Sequence, residues 1–149
     1  MRAAVQNALE LLPGVPLFAG GKSFGGRMAS QAQAERPLPG VRGLVFLGFP
    51  LHPAKKPSSE RAEHLARIEL PMIFLQGTRD ALAETPLLAA AVKRLGGRAT
   101  LVPLDAANHS FHVPAKSGRS DGQVLDDALD AMLAWVDGVL HPAATGRLR

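Results

Sequence analysis

The sequence predicts an α/β fold: a parallel sheet of about four strands with helices on both faces. Three observations carry that prediction. Short apolar runs alternate with amphipathic stretches along the chain. The runs at 41–49 and 72–76 are apolar nearly throughout, as strands buried on both faces are. Turns rich in glycine and proline separate the elements, and such alternation marks βα units rather than hairpins.

Residues 3–12 are expected to form a helix, because Val5, Ala8, Leu9 and Leu12 fall on one face and Pro13-Gly14 stops it. Val15 to Ala19 is a short apolar strand. The glycine-rich turn GGKSFGG follows, then a helix from about Phe24 to Glu35 and a loop holding Pro37, Pro39 and Gly40. Val41 to Phe49 is a buried strand, and PLHPAKKPSS is a loop. A short helix is expected at about Glu60 to Ile68, with Ser59 as N-cap. Met72 to Gln76 is the third strand and leads into GTRD. Thr85-Pro86 reads as an N-cap followed by proline at the first helical position. Leu87, Leu88, Ala91, Val92 and Leu95 form that helix's apolar stripe, and Gly96 ends it. Ala99 to Leu104 is the fourth strand. The last helix spans Asp121 to Leu140. Val124, Leu125, Ala128, Leu129, Met132, Leu133, Val136 and Leu140 keep helical spacing, with Asp126, Asp127, Asp130 and Asp137 facing out. The 149 residues fit one domain over 1–140, with a loose tail at 141–149.

Composition narrows the function classes. Apolar residues make up 46% and charged residues 20%, the balance of a folded domain with a core. There is no cysteine, which removes disulfides and thiolate metal sites and suits the cytoplasm. No apolar run approaches the ~20 residues of a membrane helix. Gln6, Asn7 and Glu10 interrupt the only stretch that resembles a signal peptide. The formal charge is +4, but the arginines are scattered from Arg2 to Arg149. Tyrosine is absent and tryptophan occurs once, so a nucleic-acid partner is not expected.

Gly21-Lys22-Ser23-Phe24-Gly25 matches G-x-S-x-G between a buried strand and a helix. A tight turn there lifts the serine hydroxyl above the sheet, and the flanking glycines make room for it. The following helix start offers backbone N–H groups to a developing oxyanion, with the N–H of Phe24 as the expected donor. A serine needs a base, and the base needs an orienting acid. Asp80 lies just after the third strand and His109 just after the fourth, so both share the sheet edge of Ser23. Singly, Ser23 reads equally as a helix cap, Asp80 as a turn residue and His109 as a loop histidine. Their order and matched placement favour a catalytic set. Asp105 is the rival acid and His112 the rival base. A phosphate loop ending in Gly21-Lys22-Ser23 would need glycine at 16, where Pro16 stands. The histidines have no metal-site spacing, so neither metal nor cofactor is expected.

Four blocks, AGGKSFGGRMAS, VFLGFPLHP, PMIFLQGTRD and NHSFHV, together resemble the small α/β-hydrolases of the dienelactone-hydrolase type. The chain is most similar to the KANSL/Tex-type α/β-hydrolase-like domain, over about residues 3–140. The resemblance implies an esterase-like serine hydrolase acting on a small acyl substrate, with Ser23 as nucleophile, Asp80 as acid and His109 as base. It implies a pocket lined near the site by Phe49 and Leu51. Members of the family carry further strands upstream and a His-Gly-type turn that supplies a second oxyanion donor. Only 22 residues precede Ser23, so the chain is expected to lack those strands. Its first strand would then be an open apolar edge, to be covered by a homodimer or another partner. A catalytically weak interaction module on the same fold is the alternative.

Overall fold

The computed structural model describes residues 1–142. Four strands form one sheet in the order β1-β2-β3-β4: Leu17–Lys22 (β1), Val41–Leu47 (β2), Met72–Gly77 (β3) and Ala99–Leu104 (β4). Every neighbouring pair is parallel. The helices are Arg2–Leu11 (α1), Phe24–Glu35 (α2), Thr85–Leu95 (α3) and Asp121–Leu140 (α4), with a 3₁₀ segment at Glu60–Arg67.

Strand alternation divides the core in two. Leu44, Phe46, Met72 and Phe74 point to the face covered by Val5 of α1, Leu65 of the 3₁₀ segment and Leu88, Ala91, Val92 and Leu95 of α3. Val45, Ile73 and Leu75 point to the opposite face, where Val124 and Ala128 of α4 meet them. Every residue of β3 is buried, as a strand covered on both faces requires.

Three elements depart from the sequence reading. β1 starts two residues later than expected and runs on through Gly20, Gly21 and Lys22, which pair with Val45, Phe46 and Leu47. The β2 ladder overrides the poor strand propensity of glycine. Val15 is left half-exposed. Residues 60–67 form a 3₁₀ rather than an α-helix, and Ser59 makes no cap bond; Ser58 Oγ instead accepts from the Glu60 N–H at 3.2 Å. Thr85 is the first residue of α3, not its cap, because its hydroxyl donates to the Thr78 carbonyl at 3.3 Å.

α4 has the expected bounds and a Ser120/Gln123 capping box. Its expected apolar face is too wide. Val124 and Ala128 are buried, but Leu125, Leu129 and Leu133 lie exposed, because one helix on a sheet presents only a narrow stripe to it. Trp135, absent from that stripe, meets the Phe18 ring edge-on at 5.7 Å. Gly43 makes the room, since a Cβ there would lie 2.7 Å from the indole. Residues 143–149 of the expected tail lie outside the described residues. No helix among the described residues is long and apolar enough to cross a membrane.

Candidate active site

The C-terminal ends of the strands are laced together. Ser23 N–H donates to Leu47 O (2.9 Å), Gly48 N–H to Leu75 O (2.9 Å) and Thr78 N–H to Leu104 O (3.0 Å). Ser23 sits at the junction of β1 and α2 with φ 50° and ψ −122°, a left-handed backbone that a non-glycine residue adopts only where its surroundings enforce it. The enforcement comes from close backbone approach. A Cβ on Gly20 would overlap the Val45 carbonyl, and one on Gly26 would lie 2.5 Å from Gly21 O. Gly25 meets nothing within 4 Å, so the second glycine of the motif is not the one that makes room; its neighbour Gly26 is.

Ser23, Asp80 and His109 are brought into one hydrogen-bonded chain. Ser23 Oγ lies 2.8 Å from His109 Nε2, and His109 Nδ1 lies 2.7 Å from Asp80 Oδ2. The carboxylate of Asp80 is fully buried, and an imidazole N–H at Nδ1 donates to it. That leaves Nε2 to accept the Ser23 hydroxyl hydrogen. Two further donors hold Asp80: Gln76 Nε2 at 2.5 Å and the Leu82 N–H at 2.8 Å. The Phe24 N–H is first in α2, where helix geometry provides no partner, and the Phe24 ring is exposed beside it.

The loop carrying His109 is shaped by Asn108. Its Oδ1 accepts from Ser110 N–H (2.8 Å) and His112 N–H (3.1 Å), while its own N–H donates to His112 O (2.9 Å). Gly48, at φ 69°, passes beneath the imidazole; a Cβ there would lie 3.5 Å from the ring. At the rim, Lys22 Nζ stands 5.9 Å from the centroid of the Phe111 ring and ties the end of β1 to the same loop.

The rival residues are engaged elsewhere. Asp105 accepts from Thr78 Oγ1 at 3.4 Å. His112 pairs with Asp121 at 2.9 Å on the surface, and that hydrogen bond, with one from the Val113 N–H, lowers the Asp121 carboxyl below its ordinary range. The expected pocket residues lie in the hydrophobic core. Phe49 and Leu51 are 1% and 0% exposed. The left-handed turn at Gly48 sends Phe49 inward against Phe46 and Phe74, with centroids at 5.2 and 5.7 Å, and its N–H is held by Gln76 Oε1 at 2.7 Å.

Gln76, Asn108 and Gly48 escaped the sequence reading. Gln76 had a signal, as the one side-chain amide in an otherwise apolar strand. Asn108 is a routine loop residue, and its importance follows from what its neighbour does.

The architecture has known counterparts. The chain superposes on an α/β serine hydrolase homologue from Coxiella burnetii (TM-score 0.63, 17% identity, 85% of this chain and 52% of that one). It superposes similarly on an α/β serine hydrolase without lid from Xanthomonas campestris (TM-score 0.63, 20% identity, 90% and 54%). A thermophilic esterase from Thermogutta terrifontis matches with TM-score 0.60 and 24% identity over 97% of this chain and 63% of that one. The chain thus spans about half the length of the first two. At these identities the likeness speaks for the fold. The family assignment rests on sequence: residues 1–137 match the alpha/beta hydrolase domain, which covers all four strands and the three residues of the hydrogen-bonded chain. The protein therefore belongs to the alpha/beta hydrolase domain family.

Proposed function

We propose that the protein is a serine hydrolase of the carboxylic-ester type, acting on a small acyl compound through Ser23, His109 and Asp80. One observation carries the proposal: the unbroken chain from Ser23 Oγ to His109 (2.8 Å) to Asp80 (2.7 Å) at the C-terminal edge of a parallel sheet. In this reading His109 Nε2 takes the hydroxyl proton as Ser23 Oγ attacks the ester carbonyl. The Phe24 N–H faces the resulting oxyanion. The tetrahedral intermediate then expels the alcohol, which leaves with the proton from His109. Water, deprotonated by the same imidazole, attacks the acyl-enzyme, and the carboxylic acid departs as Ser23 regains its hydrogen. Asp80 stays ionised throughout and stabilises the imidazolium.

Within the family, the four motif blocks favour a dienelactone-hydrolase type with KANSL/Tex-type likeness. A cytoplasmic setting is part of the proposal, which a chain without cysteine suits. The test is covalent labelling by a fluorophosphonate probe, with Ser23→Ala as the comparison. Labelling of the wild type alone is expected, and equal labelling of both would remove Ser23 as nucleophile.

A second reading is favoured by the open edge of β1. Among the described residues β1 pairs only with β2, and beside its free edge Val5, Ala8, Leu17, Phe18 and Ala19 line an apolar groove of about 220 Å³. An interaction module of low activity would use that edge to receive a second copy or another chain. It is distinguished by light scattering of the purified protein together with p-nitrophenyl acetate turnover. Turnover that vanishes in His109→Ala counts against it.

A further inference from the structure

A second polar cluster lies on the far side of the nucleophile helix. Arg27 and Gln31 are spaced by four on α2 and so share one face. Arg61, His64 and Arg67 are spaced by three on the 3₁₀ segment, where three residues complete a turn, so they stack on one face as well. The two faces meet across a surface cleft of about 470 Å³, which Glu60 and Glu63 also border.

Among the described residues no carboxylate lies within salt-bridge distance of Arg27, Arg61 or Arg67, although two glutamates border the cleft. Arg27 Nε is also buried and has no acceptor. A buried donor without a partner costs free energy, and natural structures retain few of them. The charges also act on one another. Burial and then the nearby Arg61 lower Arg27, while burial, then Arg67 and then Arg27, lower His64.

His64 is fixed in place. Ser30 Oγ donates to Arg27 O at 2.8 Å, so it accepts from His64 Nε2–H at 2.7 Å. This bond joins the two walls of the cleft and holds the cationic faces opposite each other.

We infer that this cleft binds a compact oxyanion of the phosphate class, free phosphate or the phosphoryl group of a small ester, between Arg27, Arg61 and Arg67. Guanidinium groups match such an anion because their planar forks present paired donors to its oxygens. The site is separate from Ser23, although its first residue is tied to it: the Arg27 N–H donates to Ser23 O at 3.2 Å, one turn along α2.

The test is titration of the full chain with inorganic phosphate at constant ionic strength, followed by calorimetry and by amide chemical shifts. Saturable binding is expected, with shifts concentrated on residues 27–31 and 60–68. Arg27→Gln should weaken it by about tenfold or more, the size expected for one charge-assisted contact. Arg67→Gln, at an exposed position, gives the same reading should Arg27→Gln fold poorly. Ser23→Ala should bind as the wild type does. Absence of saturable binding overturns the proposal. So does binding that both arginine variants retain in full. Phosphatidic-acid vesicles form the other arm, and capture by vesicles without binding of free phosphate would equally overturn it.

Discussion

Gln76 and His109 donate to the same carboxylate oxygen, Asp80 Oδ2, at 2.5 and 2.7 Å. The Gln76 amide works at both ends, because its Oε1 accepts the buried N–H of Phe49 at 2.7 Å. Gln76 therefore couples the Asp80 carboxylate to the turn at Gly48-Phe49. Gln76→Leu keeps the volume but leaves the Phe49 N–H without its acceptor and Asp80 with one donor fewer. Stability should fall by ~1–3 kcal/mol in denaturant unfolding. Probe labelling of Ser23 should slow with it, since Asp80 is then free to turn from the imidazole. An unfolding midpoint equal to wild type would refute this role.

The Ser23 turn rests on Gly26 rather than Gly25. Gly26→Ala puts a methyl group 2.5 Å from the Gly21 carbonyl oxygen, and both are backbone neighbours with little freedom to shift. A cost of ~1–3 kcal/mol is expected, seen as a melting temperature lowered by roughly 2–10 °C. Gly25→Ala meets open space and should melt within about 2 °C of wild type, at most a surface-sized effect. Reversal of that order in calorimetric melting would contradict the assignment.

These two cases show what was legible in the residues and what was not. Sheet polarity, the bounds of α2, β4 and α4, and the placement of residues 23, 80 and 109 after successive strands all follow from apolar periodicity and chain order. Which glycine is squeezed depends on the crossing of β1 and α2, and the fate of Phe49 depends on a left-handed turn at Gly48. Such facts reside in tertiary contacts. The same holds for α4, where apolar spacing extends well beyond the stripe that meets the sheet, so Leu125, Leu129 and Leu133 read as core and lie exposed.

His64 should make the fold sensitive to mild acid. Burial first, then Arg67 and Arg27, lower it below its ordinary value of 6.5. As pH falls through that value, the unfolded chain takes up a proton that the folded chain still refuses. The unfolded state then binds more protons, so stability declines as pH drops from about 7 through the folded value and is flat above. His64→Gln should flatten this part of the profile, read as urea midpoints between pH 8 and pH 5. An unchanged slope in the variant would show that His64 does not contribute to it.

The Asn108 side chain is exposed, so it adds little to the core, yet it bridges His109 and fixes the backbone that follows it through Ser110 and His112. Asn108→Ala removes both acceptor bonds without opening a cavity. Stability should therefore change by about 0.5 kcal/mol or less. The imidazole would no longer be held in line between Asp80 and Ser23, and misplacement on the scale of ~1 Å typically costs about a hundredfold in rate. A drop of that order is expected in kcat for p-nitrophenyl acetate, with little change in KM. Asn108→Asp keeps an oxygen acceptor at the same place and should restore most of the rate. An alanine variant as fast as wild type, or an aspartate variant as slow as alanine, would mean that the loop holds His109 by its backbone alone.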